Sequence, residues 1–140
     1  MTKLAWTDAL SVGIDLVDQQ HQRWIGHFNS AVEAIEASLG KDHIIRNLSF
    51  LVDYTATHFS SEEQHMAANA YPAMAEHKSK HDDLRQTLAD LVRDFEEEGA
   101  TQPLADAVET FLGNWLIQHI QRVDMAFGAF LREKGVKIPS

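Results

Sequence analysis

Apolar residues recur along this chain at spacings of three and four, the period of one helix face, in four long segments. No segment alternates as a half-buried strand does. The first expected helix, about residues 18–39, opens at Asp18, a good capping residue, and stops at Gly40. Its stripe is Trp24, Ile25, Phe28, Ala31, Val32, Ile35 and Leu39. The second, about 42–67, aligns Ile44, Ile45, Leu48, Leu51, Val52, Thr55, Phe59 and Met66. Tyr71-Pro72 interrupts the pattern, because proline is tolerated at a helix start but not inside one. The third, about 73–98, carries Met74, Leu84, Leu88, Leu91, Val92 and Phe95, and the fourth, about 103–123, carries Leu104, Val108, Phe111, Leu112 and Trp115. A short helical tail, 125–134, adds Phe127, Phe130 and Leu131, and residues 1–17 read as a non-helical arm with Trp6, Ile14 and Val17. Four single-striped helices joined by short loops predict an all-α antiparallel up-down four-helix bundle, one domain over 1–140.

Composition narrows the function classes. The chain has 21 acidic and 12 basic residues, a formal charge of -9, which disfavours nucleic acid and anionic membranes, since both need a basic face. There is no cysteine, so disulfides, thiolate metal sites and cysteine nucleophiles are excluded. Met1 to Leu10 lacks the basic start and apolar run of a signal peptide, and no stretch reaches the roughly 20 apolar residues of a membrane span. A cytoplasmic protein is expected. Histidine stands out, with eight residues.

Five of those histidines interrupt the stripes. His21 shares a face with Trp24 and Phe28. His58 and Glu62, spaced i, i+4, extend the stripe through Leu51 and Thr55. His77 and His81 repeat that spacing between Met74 and Leu84, and His119 follows Trp115 by four, with Asp124 beyond it. Burying so many imidazoles and two carboxylates without partners would cost several kcal/mol or more. A lone buried histidine is usually a hydrogen-bonded core residue. A histidine on the inner face of every helix, accompanied by carboxylates, points instead to a shared metal, and imidazole with carboxylate suits iron.

In order along the chain stand the arm Trp6 to Ile14, Asp18-Gln19-Gln20-His21, and His58-Phe59 with Glu62-Glu63 and Met66. Tyr71-Pro72, His77 with His81, and Trp115-Leu116 with His119-Ile120 and Asp124 complete the set. Over essentially its whole length the chain resembles the bacterial hemerythrins. The resemblance implies a centre of two non-haem iron ions with an oxo or hydroxo bridge. His77, His81 and His119 would bind one iron, His21 and His58 the other, and Glu62 and Asp124 would bridge them. Two six-coordinate irons take twelve bonds, of which five imidazoles, two bridging carboxylates and the oxygen bridge supply eleven. The open position falls on the iron with two histidines, where dioxygen would bind. The resemblance also implies an apolar oxygen pocket of Phe59, Trp115, Leu116 and Ile120, and an arm packed on the bundle through Trp6.

Some residues fit less simply. His119 and Asp124 lie five apart, about 140° around a regular helix, so both face one point only if the helix bends, bulges or ends over 121–124. Glu63 should point away from the metals, one residue on from Glu62. His27 and His43 are expected on solvated faces, and His65 is expected as a non-ligand although Glu62-x-x-His65 has the ferritin-like spacing, because no second such motif exists.

The function that follows is reversible dioxygen binding for transport, storage or delivery. No receptor or output segment is recognisable in the chain. A di-iron redox enzyme or an oxygen or iron sensor is the alternative. Five histidines to two carboxylates makes a nitrogen-rich site, whereas oxygen-activating di-iron enzymes are carboxylate-rich.

Overall fold

The computed structural model describes residues 4–99 and 101–138. The start of the expected arm, residues 1–3, lies outside them. Three helices, α1 (Asp15–Glu36), α2 (Lys41–Ala68) and α3 (Met74–Glu98), precede a long fourth rod, α4, over residues 102–133. Short connections return the chain on itself each time, giving an all-α antiparallel four-helix bundle.

The arm differs from expectation. Asp8–Leu10 forms a 3-10 turn, and α1 begins at Asp15 behind Ile14, not at Asp18. Asp18 lies inside the first turn and serves the arm instead: its carboxylate accepts the Ser11 hydroxyl and the Val12 N–H, the latter at 2.8 Å. Leu4 and Asn29 exchange two hydrogen bonds, 2.8 and 2.7 Å, and Trp6 packs on the main core. α1 also ends early, at Glu36, which leaves Leu39 49% exposed in the turn to α2. Gly40, at φ 92°, precedes α2 and does not close α1.

The fourth rod is the largest departure. The expected tail is continuous with it, and two π turns, Ala107–Leu112 and His119–Asp124, separate three α segments. The buried row Leu104, Val108, Leu112, Leu116, Ile120 and Asp124 repeats every four residues. In a regular α-helix such a row drifts about 40° per step and soon leaves the core. The wider i→i+5 turns unwind that drift and keep the row inward. Phe111 falls off the row and is 52% exposed, contrary to its place in the expected stripe.

Two apolar clusters result. The main one joins α1, α2, α3 and the first half of α4 through Phe28, Leu48, Leu88 and Leu112. The second gathers Val12, Ile14 and Val17 against Met66, Phe127 and Leu131, where the arm crosses α4 at Gly128. A Cβ at Gly128 would sit 2.3 Å from the Val12 carbonyl oxygen, so glycine permits the crossing. The polar residues of interest lie between the clusters. No helix among the described residues is long and apolar enough to cross a membrane.

Candidate metal centre

Each helix brings inward-facing donors to the layer between the two clusters. α1 supplies His21, α2 supplies His58 and Glu62 one turn apart, and α3 supplies His77 and His81 one turn apart. α4 supplies His119 and Asp124 from the two ends of one π turn, which carries residues five apart to a common face. All seven are buried, none more than 3% exposed.

Their ligand atoms form two overlapping groups within 4.8 Å: Glu62, His77, His81, His119 and Asp124, and His21, His58, Glu62 and Asp124. Both carboxylates belong to both groups. Glu62 Oε1 lies 2.6 Å from His77 Nε2 and 3.3 Å from His81 Nε2, while its Oε2 faces His58 Nε2 at 3.7 Å. Asp124 Oδ1 lies 3.0 Å from His77 Nε2 and 3.2 Å from His119 Nε2, while its Oδ2 faces His21 Nε2 at 2.8 Å. Each carboxylate therefore spans the groups, one oxygen to the imidazoles of each.

Close as these approaches are, the four carboxylate oxygens and the inward nitrogens of His21, His58 and His77 lack directed hydrogen-bond partners within the protein. Buried polar atoms left this way are costly unless something between them accepts their lone pairs. Seven N and O donors converging on shared points fit a borderline metal such as iron. Electrostatics agrees. Burial raises the Asp124 and Glu62 carboxyls, yet the surrounding imidazoles outweigh it and hold Glu62 below its usual range and Asp124 well below. Burial pushes His58 down to about 3, so its imidazole is neutral. Burial also works against a charged His77, but contacts with Asp124 and Glu62 prevail and raise it to about 9.

The outer faces of the ligands show partners that the sequence did not reveal. His58 Nδ1 meets Gln20 Oε1 at 2.7 Å, and Gln20 Nε2 donates to the Ser61 hydroxyl at 3.2 Å. His81 Nδ1 meets Glu63 Oε2 at 2.8 Å, and Arg85 holds that carboxylate from the other side. With acceptors at Nδ1, both rings carry the proton there and turn an unprotonated Nε2 inward. Glu63 does point away from the convergence, and in doing so reaches the back of a different histidine. Nothing in a stripe pattern marks Gln20 or Arg85, since His58 and Glu63, which they meet, lie on another helix.

Of the four expected pocket residues, two stack on candidate ligands. Phe59 stacks on His81, centroids 3.7 Å apart at 4°, and Trp115 stacks on His119 at 4.5 Å and 10°. Leu116 and Ile120 are buried in the main core, while Trp115 is half-buried. Trp24, which the sequence marked only as core, packs beside His21 and His58, at 6.0 and 5.1 Å, with its indole N–H donating to the Thr55 hydroxyl. Its position one turn after His21 was the available signal. His43 is exposed; His27 is half-buried against Tyr54, and half-buried His65 joins neither donor group.

Comparison with known proteins points to one family. The family description "Hemerythrin HHE cation binding domain" matches residues 12–131. A bacteriohemerythrin of Stenotrophomonas maltophilia is 34% identical over 91% of this chain and 80% of its own length. One of Methylococcus capsulatus is 32% identical over 94% of this chain and 98% of its own. A wild-type hemerythrin crystal structure superposes with a TM-score of 0.81 at 30% identity, covering 91% of this chain and 97% of that one. A match of this extent, carried by a bundle with seven converging buried donors, places the chain in the hemerythrin family.

Proposed function

We infer that this chain binds dioxygen reversibly at a non-haem di-iron centre held by His21, His58, Glu62, His77, His81, His119 and Asp124. The observation that carries this is the division of Glu62 and Asp124, each with one oxygen toward two imidazoles of the His77, His81 and His119 group and the other toward one imidazole of the His21 and His58 pair. That division suits two metals bridged by both carboxylates and unequal in imidazole count. When bound, a ferrous pair supplies the electrons that oxygen takes up and returns on release.

The protein's own groups provide the rest. Glu62 and Asp124 bring two negative charges into a buried layer, and Phe59, Leu116 and Ile120, all buried, are the apolar residues offered for its lining. His58 and His81 keep their Nδ1 protons directed to Gln20 and Glu63, so their Nε2 lone pairs face inward, that of His81 3.2 Å from His119 Nε2. The pair of His21 and His58 is one imidazole short of the other group, so a metal held there would have room for a further ligand such as dioxygen. Trp24, beside both rings and with its N–H engaged by Thr55, presents an apolar face there. The nitrogen-rich donor set supports a binding role in oxygen transport, storage or delivery, since oxygen-activating di-iron enzymes use carboxylate-rich sets.

The test is a visible spectrum of protein loaded anaerobically with ferrous iron, then oxygenated, then deoxygenated. A band that grows with oxygen and vanishes on its removal is the expected result. A band that persists after oxygen is removed would move the function to a redox enzyme or a sensor.

A further inference from the structure

The two donor groups differ in what stands behind their histidines. His81 Nδ1–H donates to Glu63, and Glu63 is gripped through both oxygens by Arg85, at 3.0 and 3.2 Å. Arg85 also lies 5.2 Å from the centre of the Phe59 ring, which stacks on His81. The His81 ring is thus fixed in its plane by Glu63 and across its plane by Phe59, and one guanidinium holds both. In the other group, His58 Nδ1–H donates to Gln20, a neutral amide; the Nδ1 atoms of His21, His77 and His119 have no hydrogen-bond partner within the protein, so the contrast lies between His81 and His58.

We propose that Glu63, clamped by Arg85, makes the His77–His81–His119 half the tighter of two metal subsites, so that the pair fills in order with that half first. The proposal rests on the two-metal reading above and extends it to the order of loading. A carboxylate behind an imidazole draws its proton and raises the basicity of the inward nitrogen, and such partners matter about 10–100-fold in metal affinity. A charge-assisted hydrogen bond is also roughly twice as strong as a neutral one, so Glu63 orients and polarises more than Gln20 does. Arg85 offsets part of that charge, but it is shared with Asp82 at 2.8 Å and sits 30% exposed, where water screens it. Glu63, 14% exposed and touching the ring, acts at shorter range on His81. Glu63 is a positioning residue here, since it reaches the metal only through His81.

Titration of the metal-free protein with cobalt(II), followed by visible absorption and calorimetry, tests this. Wild type should take two cobalt ions per chain in resolved steps. Glu63→Gln should weaken the first step about 10–100-fold and leave the second unchanged. Gln20→Glu, which puts a carboxylate behind His58, should strengthen the second step and narrow the gap. Opposite shifts from the two variants are not what a merely structural role produces. Equal weakening of both steps by Glu63→Gln, or no change, would overturn the proposal. If Glu63→Gln fails to fold, as read by thermal melting without metal, Gln20→Glu decides alone, and an unchanged gap overturns it. The stoichiometry of wild type separately tests the two-metal reading, because uptake of a single ion would remove that reading whatever the variants do.

Discussion

His119 Nε2 and Asp124 Oδ1 stand 3.2 Å apart although five residues separate them on one helix, because a π turn spans the interval from His119 to Asp124. A π turn places residues five apart on one face, as an α turn does for residues four apart. Deleting Gln121, which is exposed, should therefore turn the segment to α-helix and leave the two ligands spaced i, i+4 and still facing inward. Metal content measured on the purified variant should stay at the wild-type value. Deleting exposed Asn114, inside an α segment, should instead rotate everything beyond it by about 100° and abolish metal uptake. Equal loss in both deletions would show that the turn's own shape, not its register, is required.

The metal-free protein should be most stable near pH 6.5. His58, lowered in the fold from 6.5 to about 3, takes up a proton more readily when unfolded, so its contribution falls as pH drops below 6.5. Glu62 and Asp124, also lowered, lose theirs as pH falls further. His77, raised from 6.5 to about 9, stabilises fully below 6.5 and loses that contribution as pH rises to 9. Urea unfolding at about pH 5, 6.5 and 8.5 would reveal the maximum. Metal uptake near neutral pH should release a proton from His77, seen as a buffer-dependent heat in calorimetry.

A carboxylate in the apolar layer should shorten the life of the oxygenated protein. Leu116 is 1% exposed, and Leu116→Glu would place a proton-exchanging group where water is now excluded. Autoxidation followed by the decay of the oxygen-dependent band should accelerate, while Leu116→Met, similar in volume, should change it little. Equal rates in both variants would remove Leu116 from the pocket.

The arm crossing gives a prediction about stability alone. Gly128→Ala drives a methyl into the Val12 carbonyl and should cost about 1–3 kcal/mol, visible as a lower melting temperature. Gly26, an exposed glycine within α1 whose Cβ would meet nothing within 4 Å, is the matched control. Gly26→Ala should stabilise by about 1 kcal/mol, from helix propensity. If Gly128→Ala melts no lower than wild type, the arm is not held at that crossing.

The sequence by itself determined the bundle and the seven converging donors. Helix periodicity is local, so His58 with Glu62 and His77 with His81 declare their shared faces through spacing alone. The four-residue row from Leu104 to Asp124 also carried the signal for an underwound helix, visible as a period longer than 3.6. Tertiary structure decided what depends on the approach of separate helices. It set Gln20 behind His58, Glu63 with Arg85 behind His81, and Trp24 beside His21 and His58. It also moved Asp18 from the expected cap to a clamp on the arm, because Ser11 and Val12 fold back over the first turn of α1. Such partners are fixed by the relative rotation and height of packed rods, and no spacing along one chain segment records those.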